Sequence, residues 1–146
     1  MNSRSEAHYN KLRNMYLSAA INELYEPDIT IRKAEATITT PVQEQFFHAG
    51  GSLHGSVYFK VLDDAAYFAA MSREKEFFLL TTSFTTYITR PITEGIIRSE
   101  GRIISFGKQL VLAESIAYDE RNKEVARGSG TFMPSSKRLS KELGYL

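Results

Sequence analysis

The chain has 146 residues, 18 Lys and Arg against 17 Asp and Glu, and no cysteine. That length holds one domain with a core of its own, and the missing cysteines exclude disulfides and cysteine-ligated metals. The balanced charge excludes a strong field for nucleic acid or an anionic membrane, and no apolar run is long enough to span a bilayer, so neither is expected as a partner.

The first residues lack the charged-then-apolar pattern of a signal peptide, and a cytoplasmic protein is expected. Residues 4–26 read as an amphipathic helix. Leu12, Met15, Tyr16, Ala19, Ala20 and Leu24 recur at three- and four-residue spacing, and Pro27 closes the segment. Residues 34–40 read as a short strand, and Pro41 to Gly51 as a loop holding Phe46, Phe47 and His48. From His54 to about Ser72 the sequence reads as a helix, apolar around most of its circumference and therefore largely buried.

Four strands follow: Phe78–Thr89, Ile96–Phe106, Gln109–Tyr118 and Glu124–Met133. Gly107-Lys108 and residues 119–122 supply short turns, which make the last three strands an antiparallel meander. The order implies an α+β domain, with the long helix on one face of a curved antiparallel sheet. Residues 1–146 form a single domain in this reading, with 1–27 as a leading helix. The tail over 134–146 is polar and basic, and reads as a short helix or a frayed end.

The chemistry gathers where the long helix begins. Gly50 and Gly51 precede His54-Gly55, and the free N–H groups of a first helical turn suit an oxyanion or a phosphate. A tight loop with no ligand is the plainer alternative, and the spacing fits neither a P-loop nor a dinucleotide fingerprint. Further along, Lys60, Asp63, Asp64, Tyr67 and Met71 fall on one stripe. Either the stripe is solvated, with Lys60 pairing Asp64, or it faces a ligand cleft. Asp63 lies about 13 Å along the helix axis from His54. One carbonyl cannot touch both in the same chain, so a site that uses both joins two subunits. His48 and His54 are a poor metal set, His8 has no evident role, and no metal is expected.

These residues resemble a family. Gly51-Ser-Leu-His54-Gly55, with Asp63 nine residues after His54, is similar to the signature of hot-dog-fold acyl-CoA thioesterases, phenylacetic-acid-degradation type. The similarity continues in Tyr87-Ile-Thr-Arg-Pro91, at Gly95, at Gly107-Lys108 and in Ala126-Arg-Gly-Ser-Gly-Thr-Phe132, and spans roughly residues 34–133.

The resemblance implies a hot-dog fold, in dimers or dimers of dimers, acting on an acyl-CoA thioester with no cofactor. It implies that the Gly55 N–H binds the thioester carbonyl oxygen, and that Asp63 of the opposing subunit attacks the carbonyl or activates water. His54 would fix the helix start, His48 would hold water or substrate, and Thr81 would sit near the nucleophile. Gly51, Ser56 and Arg90 would help bind substrate, with Arg98, Arg102, Lys108 and Arg127 as further candidates for the CoA phosphates. The chain departs from the family pattern at His48, commonly Asn, and at Ser56, commonly Gly. A non-catalytic acyl-CoA sensor and a hot-dog dehydratase or hydratase are the alternatives.

Overall fold

The structure, a computed structural model, describes residues 2–146. Helix α1 covers Ser3–Ser18, with the Asn2 side chain accepting the Ser5 N–H at its start. The expected single helix over 4–26 is two pieces. Ala19 turns extended, and a short helix α2 follows over Asn22–Tyr25. No proline or glycine marks this break. It is held by the buried Asn22 side chain, which donates to the Tyr16 carbonyl at 2.7 Å and so satisfies a carbonyl at the end of α1.

Six strands form one antiparallel sheet in the order β1-β2-β4-β5-β6-β3. They are β1 Asp28–Arg32, β2 Glu35–Pro41, β3 Phe77–Ile88, β4 Ile96–Phe106, β5 Val111–Tyr118 and β6 Glu124–Arg138. The expected meander is present as β4-β5-β6. Strand β1 was absent from the sequence reading, although Ile29 and Ile31 alternate inward along it. The strand hairpins onto β2 through Lys33 and Ala34, with Ala34 at positive φ, a turn that neither Gly nor Asn announces. The tail expectation is also corrected. β6 runs on through Pro134, which lies opposite Leu79 beside a register shift, and only Lys141–Leu143 forms a 3-10 turn. Such an irregularity tolerates a residue without an N–H.

Helix α3, Gly55–Met71, lies across the sheet. Ala65, Ala66, Ala69 and Ala70 are fully buried and let the helix sit close. At Gly101 of β4 a Cβ would stand 2.2 Å from the Ala65 carbonyl oxygen, so only glycine allows this approach. Ser115 of β5 donates to the Leu62 carbonyl at 2.7 Å and fixes the helix against the sheet. Apolar clusters lie at both ends of α3. One is built on Leu53, Val57, Val61 and Ile97, the other on Leu12, Phe68, Met71 and Phe132. With its ends held this way, α3 has one stripe left over, and that stripe carries Lys60, Asp63 and Asp64. No helix among the described residues is long and apolar enough to cross a membrane.

Candidate active site

The loop before α3 is tied by its own atoms. Phe47 and Leu53 form an isolated bridge, and His48 closes the turn between them. Its Nδ1 accepts the Gly50 N–H at 3.0 Å, which leaves Nε2 to donate to Ser52 Oγ at 3.0 Å. Gly51 stands at φ +85°, a conformation suited to glycine, and leads into Ser52 and the bridge at Leu53.

His54 is the N-cap of α3. Its Nδ1 accepts the Ser56 N–H at 3.0 Å and lies 2.7 Å from Ser56 Oγ, while its carbonyl accepts the Val57 N–H. A histidine thus does here what Ser, Asn or Asp does at most helix starts. The amides of Ser56 and Val57 are used. The Gly55 N–H has no acceptor among the described residues. It is the spare donor at the positive end of a 17-residue helix.

Two turns further on, the paired carboxylates separate. Asp64 accepts the Tyr16 hydroxyl at 2.7 Å and the Lys60 ammonium at 2.6 Å. Lys60 also donates to the Asn22 side-chain Oδ1 at 2.7 Å and lies over the Tyr25 ring. Asp64 is therefore held in a network that joins α3 to α1 and α2. The expected Lys60–Asp64 pair is present, but it is covered by the leading helices rather than solvated.

Asp63 has one partner, the Thr81 hydroxyl of β3, which donates to it at 2.9 Å. Burial lifts its carboxyl to about 6. The charge of Asp64 adds to the lift, and the Thr81 hydrogen bond and Lys60 oppose it. Tyr67, beside it, is pushed upward by burial and by both carboxylates, and stays a neutral phenol that donates to the Leu79 carbonyl.

Asp63, Asp64, Lys60, Thr81 and Ser56 all line one cavity of about 650 Å³. Its walls are mostly apolar, with Phe59, Phe68 and Leu79 from the domain and Met15 from α1. That volume lies within the usual range for sites that enclose a small ligand. The leading helices, which the sequence showed only as an amphipathic segment, form part of this wall. Tyr16, Asn22 and Tyr25 were missed as site residues because helical periodicity shows only that they face inward, not what they meet.

Gly55 and Asp63 lie at different points of the same helix, each against β3. A Cβ at Gly55 would stand 3.3 Å from the Ile88 side chain, whereas Asp63 meets Thr81. Among the basic candidates, Arg98 pairs with Glu100, Arg102 with Glu114 and Arg127 with Glu124. Arg90 makes no ion pair among the described residues, and its carbonyl accepts the Tyr58 hydroxyl from the first turn of α3. No group of three or more His, Asp or Glu among the described residues is placed to hold a metal ion.

A six-stranded antiparallel sheet packed on one long helix is the hot-dog fold. The profile of the Thioesterase superfamily matches residues 50–126, and the chain belongs to that superfamily of hydrolases. A Saccharolobus solfataricus protein that bears the name of an esterase, SSO1253, is 30% identical over 103 residues, which is 70% of this chain and 69% of the relative. The Escherichia coli PaaI protein from the phenylacetic acid degradation operon shares the fold with a TM-score of 0.85. It is 21% identical, and the match covers 94% of this chain and all of that one. Thioesterase HI1161 of Haemophilus influenzae matches with a TM-score of 0.75 at 18% identity, over 82% of this chain and 85% of that one.

Proposed function

We propose that the protein hydrolyses an acyl-CoA thioester to the free acid and CoA, and that it belongs with the phenylacetic-acid-degradation type of hot-dog thioesterase. The observation that carries this reading is the contrast between the adjacent aspartates. Asp64 is neutralised by Lys60 and Tyr16, whereas Asp63 is desolvated, held by one hydroxyl and open to an apolar cavity. At neutral pH a carboxyl titrating near 6 is mostly ionised and more basic than one in water.

The thioester carbonyl oxygen accepts the Gly55 N–H, and the helix dipole stabilises the negative charge that develops there. Asp63 takes a proton from the water that attacks the carbonyl carbon, or attacks it directly to form an acyl-aspartate anhydride that a water then hydrolyses to the free acid and the restored carboxylate. In either case the C–S bond breaks and the electron pair leaves with sulfur. A thiol of ordinary acidity leaves without a dedicated general acid. Thr81 holds the Asp63 carboxylate, His54 holds the helix start, and His48 and Gly51 hold the loop before it. Ser56 lines the cavity mouth, and Arg90 faces the CoA phosphates.

The site is composite in this reading. β3 is a sheet edge of twelve residues with most of its length exposed, including Leu80, Tyr87 and Ile88. A long edge of that kind invites pairing with a second copy. An antiparallel, two-fold pairing reverses the order along α3, and so carries the Gly55 end of one protomer toward the Asp63 end of its partner.

The test is thiol release from propanoyl-, octanoyl- and phenylacetyl-CoA by purified protein. Release by the wild type and its loss in Asp63→Asn, with Asp64→Asn still active, supports the assignment. Binding of these esters without release favours an acyl-CoA sensor, and loss of activity only in Asp64→Asn moves the chemistry to the other carboxylate.

A further inference from the structure

The cavity is not closed by the superfamily domain alone. Met15 and Ala19 at the end of α1, Ile21 in the break before α2, and Leu143 in the 3-10 turn after β6 all line it, and all lie outside residues 50–126. These two flanking segments are built onto each other. His8 of α1 meets the Tyr145 hydroxyl at 2.7 Å, and Asn14 donates to the Leu146 carbonyl at 2.5 Å. Gly144 sits at φ +85°, and a Cβ there would stand 2.4 Å from Ser18 Oγ, so the turn lies directly on α1. The segment that carries Leu143 into the wall is thus fixed to α1 by the residues that follow its turn.

The charge of the wall is settled as well. Lys60 is the cation that lines the cavity, and Asp64 pairs it at 2.6 Å while Asn22 takes a further hydrogen bond. Among the described residues no positive charge in the lining is left over to receive an acidic acyl group, and with Asp63 ionised a second carboxylate would be repelled. What the wall offers is apolar surface and a fixed end.

Resting on the thioesterase reading, we propose that Met15, Ala19 and Leu143 are specificity-determining residues. They set the length of an uncharged, medium-length acyl group whose carbonyl lies at Asp63. Ala19 is the residue where added volume projects into the cavity at least backbone cost. It is partly buried with φ −62° and ψ 135°, an extended conformation open to any L side chain. Leu143 is the residue whose truncation lengthens the cavity.

The test measures kcat/KM of wild type, Ala19→Phe and Leu143→Ala on propanoyl-, octanoyl- and dodecanoyl-CoA. Thermal unfolding of each variant confirms that it is folded. Single-methylene discrimination in an apolar pocket is about tenfold or more. The octanoyl-to-propanoyl ratio should therefore fall at least about tenfold in Ala19→Phe, and the dodecanoyl-to-octanoyl ratio should rise in Leu143→Ala. Ratios unchanged from wild type in both folded variants overturn the proposal, and so does an equal loss on all three esters.

If the wild type releases no thiol from any ester, the hydrolase reading has failed on its own. The same three proteins are then compared by calorimetric binding of the same esters. A shift in the affinity ratios still supports the wall. Unshifted ratios, or no binding at all, overturn it.

Discussion

The first turn of α3 and its middle treat polar groups in opposite ways. At the first turn His54 and Ser56 are exposed, the cap satisfies the next amides from within, and one N–H is left without an acceptor among the described residues. In the middle turns the polar groups are covered by α1, α2 and β3. One carboxylate is fully paired, and the other is held by a single hydroxyl in apolar surroundings. In the proposed mechanism the exposed half carries the donor for an oxyanion and the covered half carries the base, with about 12 Å of helix between them. On that reading a single protomer holds two half-sites, which is why an exposed β3 edge matters to the chemistry.

The largest expected effect breaks the covered half. Asp63→Asn should lower turnover by about a hundred- to ten-thousandfold, the usual loss for a general base, in a thiol-release assay. The same change should raise stability. The carboxyl titrates near 6 in the folded protein, above its value of 3.8 when unfolded. The native state therefore binds protons more tightly. The stability this gives is complete below about pH 4 and is lost as pH rises through about 6. At pH 7 the ionised, desolvated group costs the fold about 1–2 kcal/mol, after allowing for its partial exposure, and asparagine removes that cost. A midpoint of thermal unfolding below wild type at pH 7 would show that Asp63 supports the fold rather than straining it.

The next effect breaks the exposed half. Gly55 is the first helical residue, a position where proline fits, and His54 before it already has the extended backbone that a following proline demands. Gly55→Pro therefore deletes one N–H and leaves the helix in place, with a small adjustment at Ile88. Turnover should fall about a hundred- to a thousandfold. Mixing unfolded Gly55→Pro and Asp63→Asn chains and refolding them together tests the composite site directly. In a mixed dimer, one site receives an intact Gly55 from one chain and an intact Asp63 from the other. Half the dimers are then mixed and each has one working site of two, so about a quarter of wild-type activity should return. No recovery, with mixed dimers present by mass, would place both groups of a working site in one chain.

How much of this was legible in the sequence depends on the scale of the signal. The α3 helix, β4 and the meander rest on long periodic runs, and their residues stand where the pattern puts them. β1 was lost because its five residues alternate too briefly to stand out and its turn is made by an alanine at positive φ. The break between α1 and α2 was lost because it is written in one hydrogen bond from Asn22, not in any local propensity. Only its spacing from His54 set Asp63 apart from Asp64 in the sequence, because their physical difference comes from Tyr16, Asn22 and Thr81, which lie 48, 42 and 18 residues away from the carboxylate each one affects. Contacts of that separation are set by the fold, and sequence spacing within one helix carries no trace of them.

A smaller effect sharpens the contrast between the neighbours. Asp64→Ala leaves Lys60 partly buried with only Asn22 and two aromatic rings, and should cost about 2 kcal/mol of stability by denaturant unfolding. Turnover should stay far above that of Asp63→Asn, because the group lost holds the cavity wall and touches no reacting atom.

The smallest effect is the most diagnostic of how Asp63 is tuned. The Thr81 hydroxyl donates to the carboxylate and so favours its ionised form, opposing the burial that raises it. Thr81→Val keeps the shape of the side chain and removes the donor, so the carboxyl should titrate higher still. If Asp63 acts ionised, the acid limb of kcat/KM moves to higher pH in this variant. At pH 6 the rate should fall about threefold, and above pH 8 the two proteins should converge, because both carboxylates are then ionised. A loss of equal size at every pH would mean that Thr81 positions the carboxylate and leaves its acidity alone. A limb that moves to lower pH would mean that the hydroxyl accepts a hydrogen bond from a neutral Asp63, and the direction of proton transfer in the mechanism would have to be reversed.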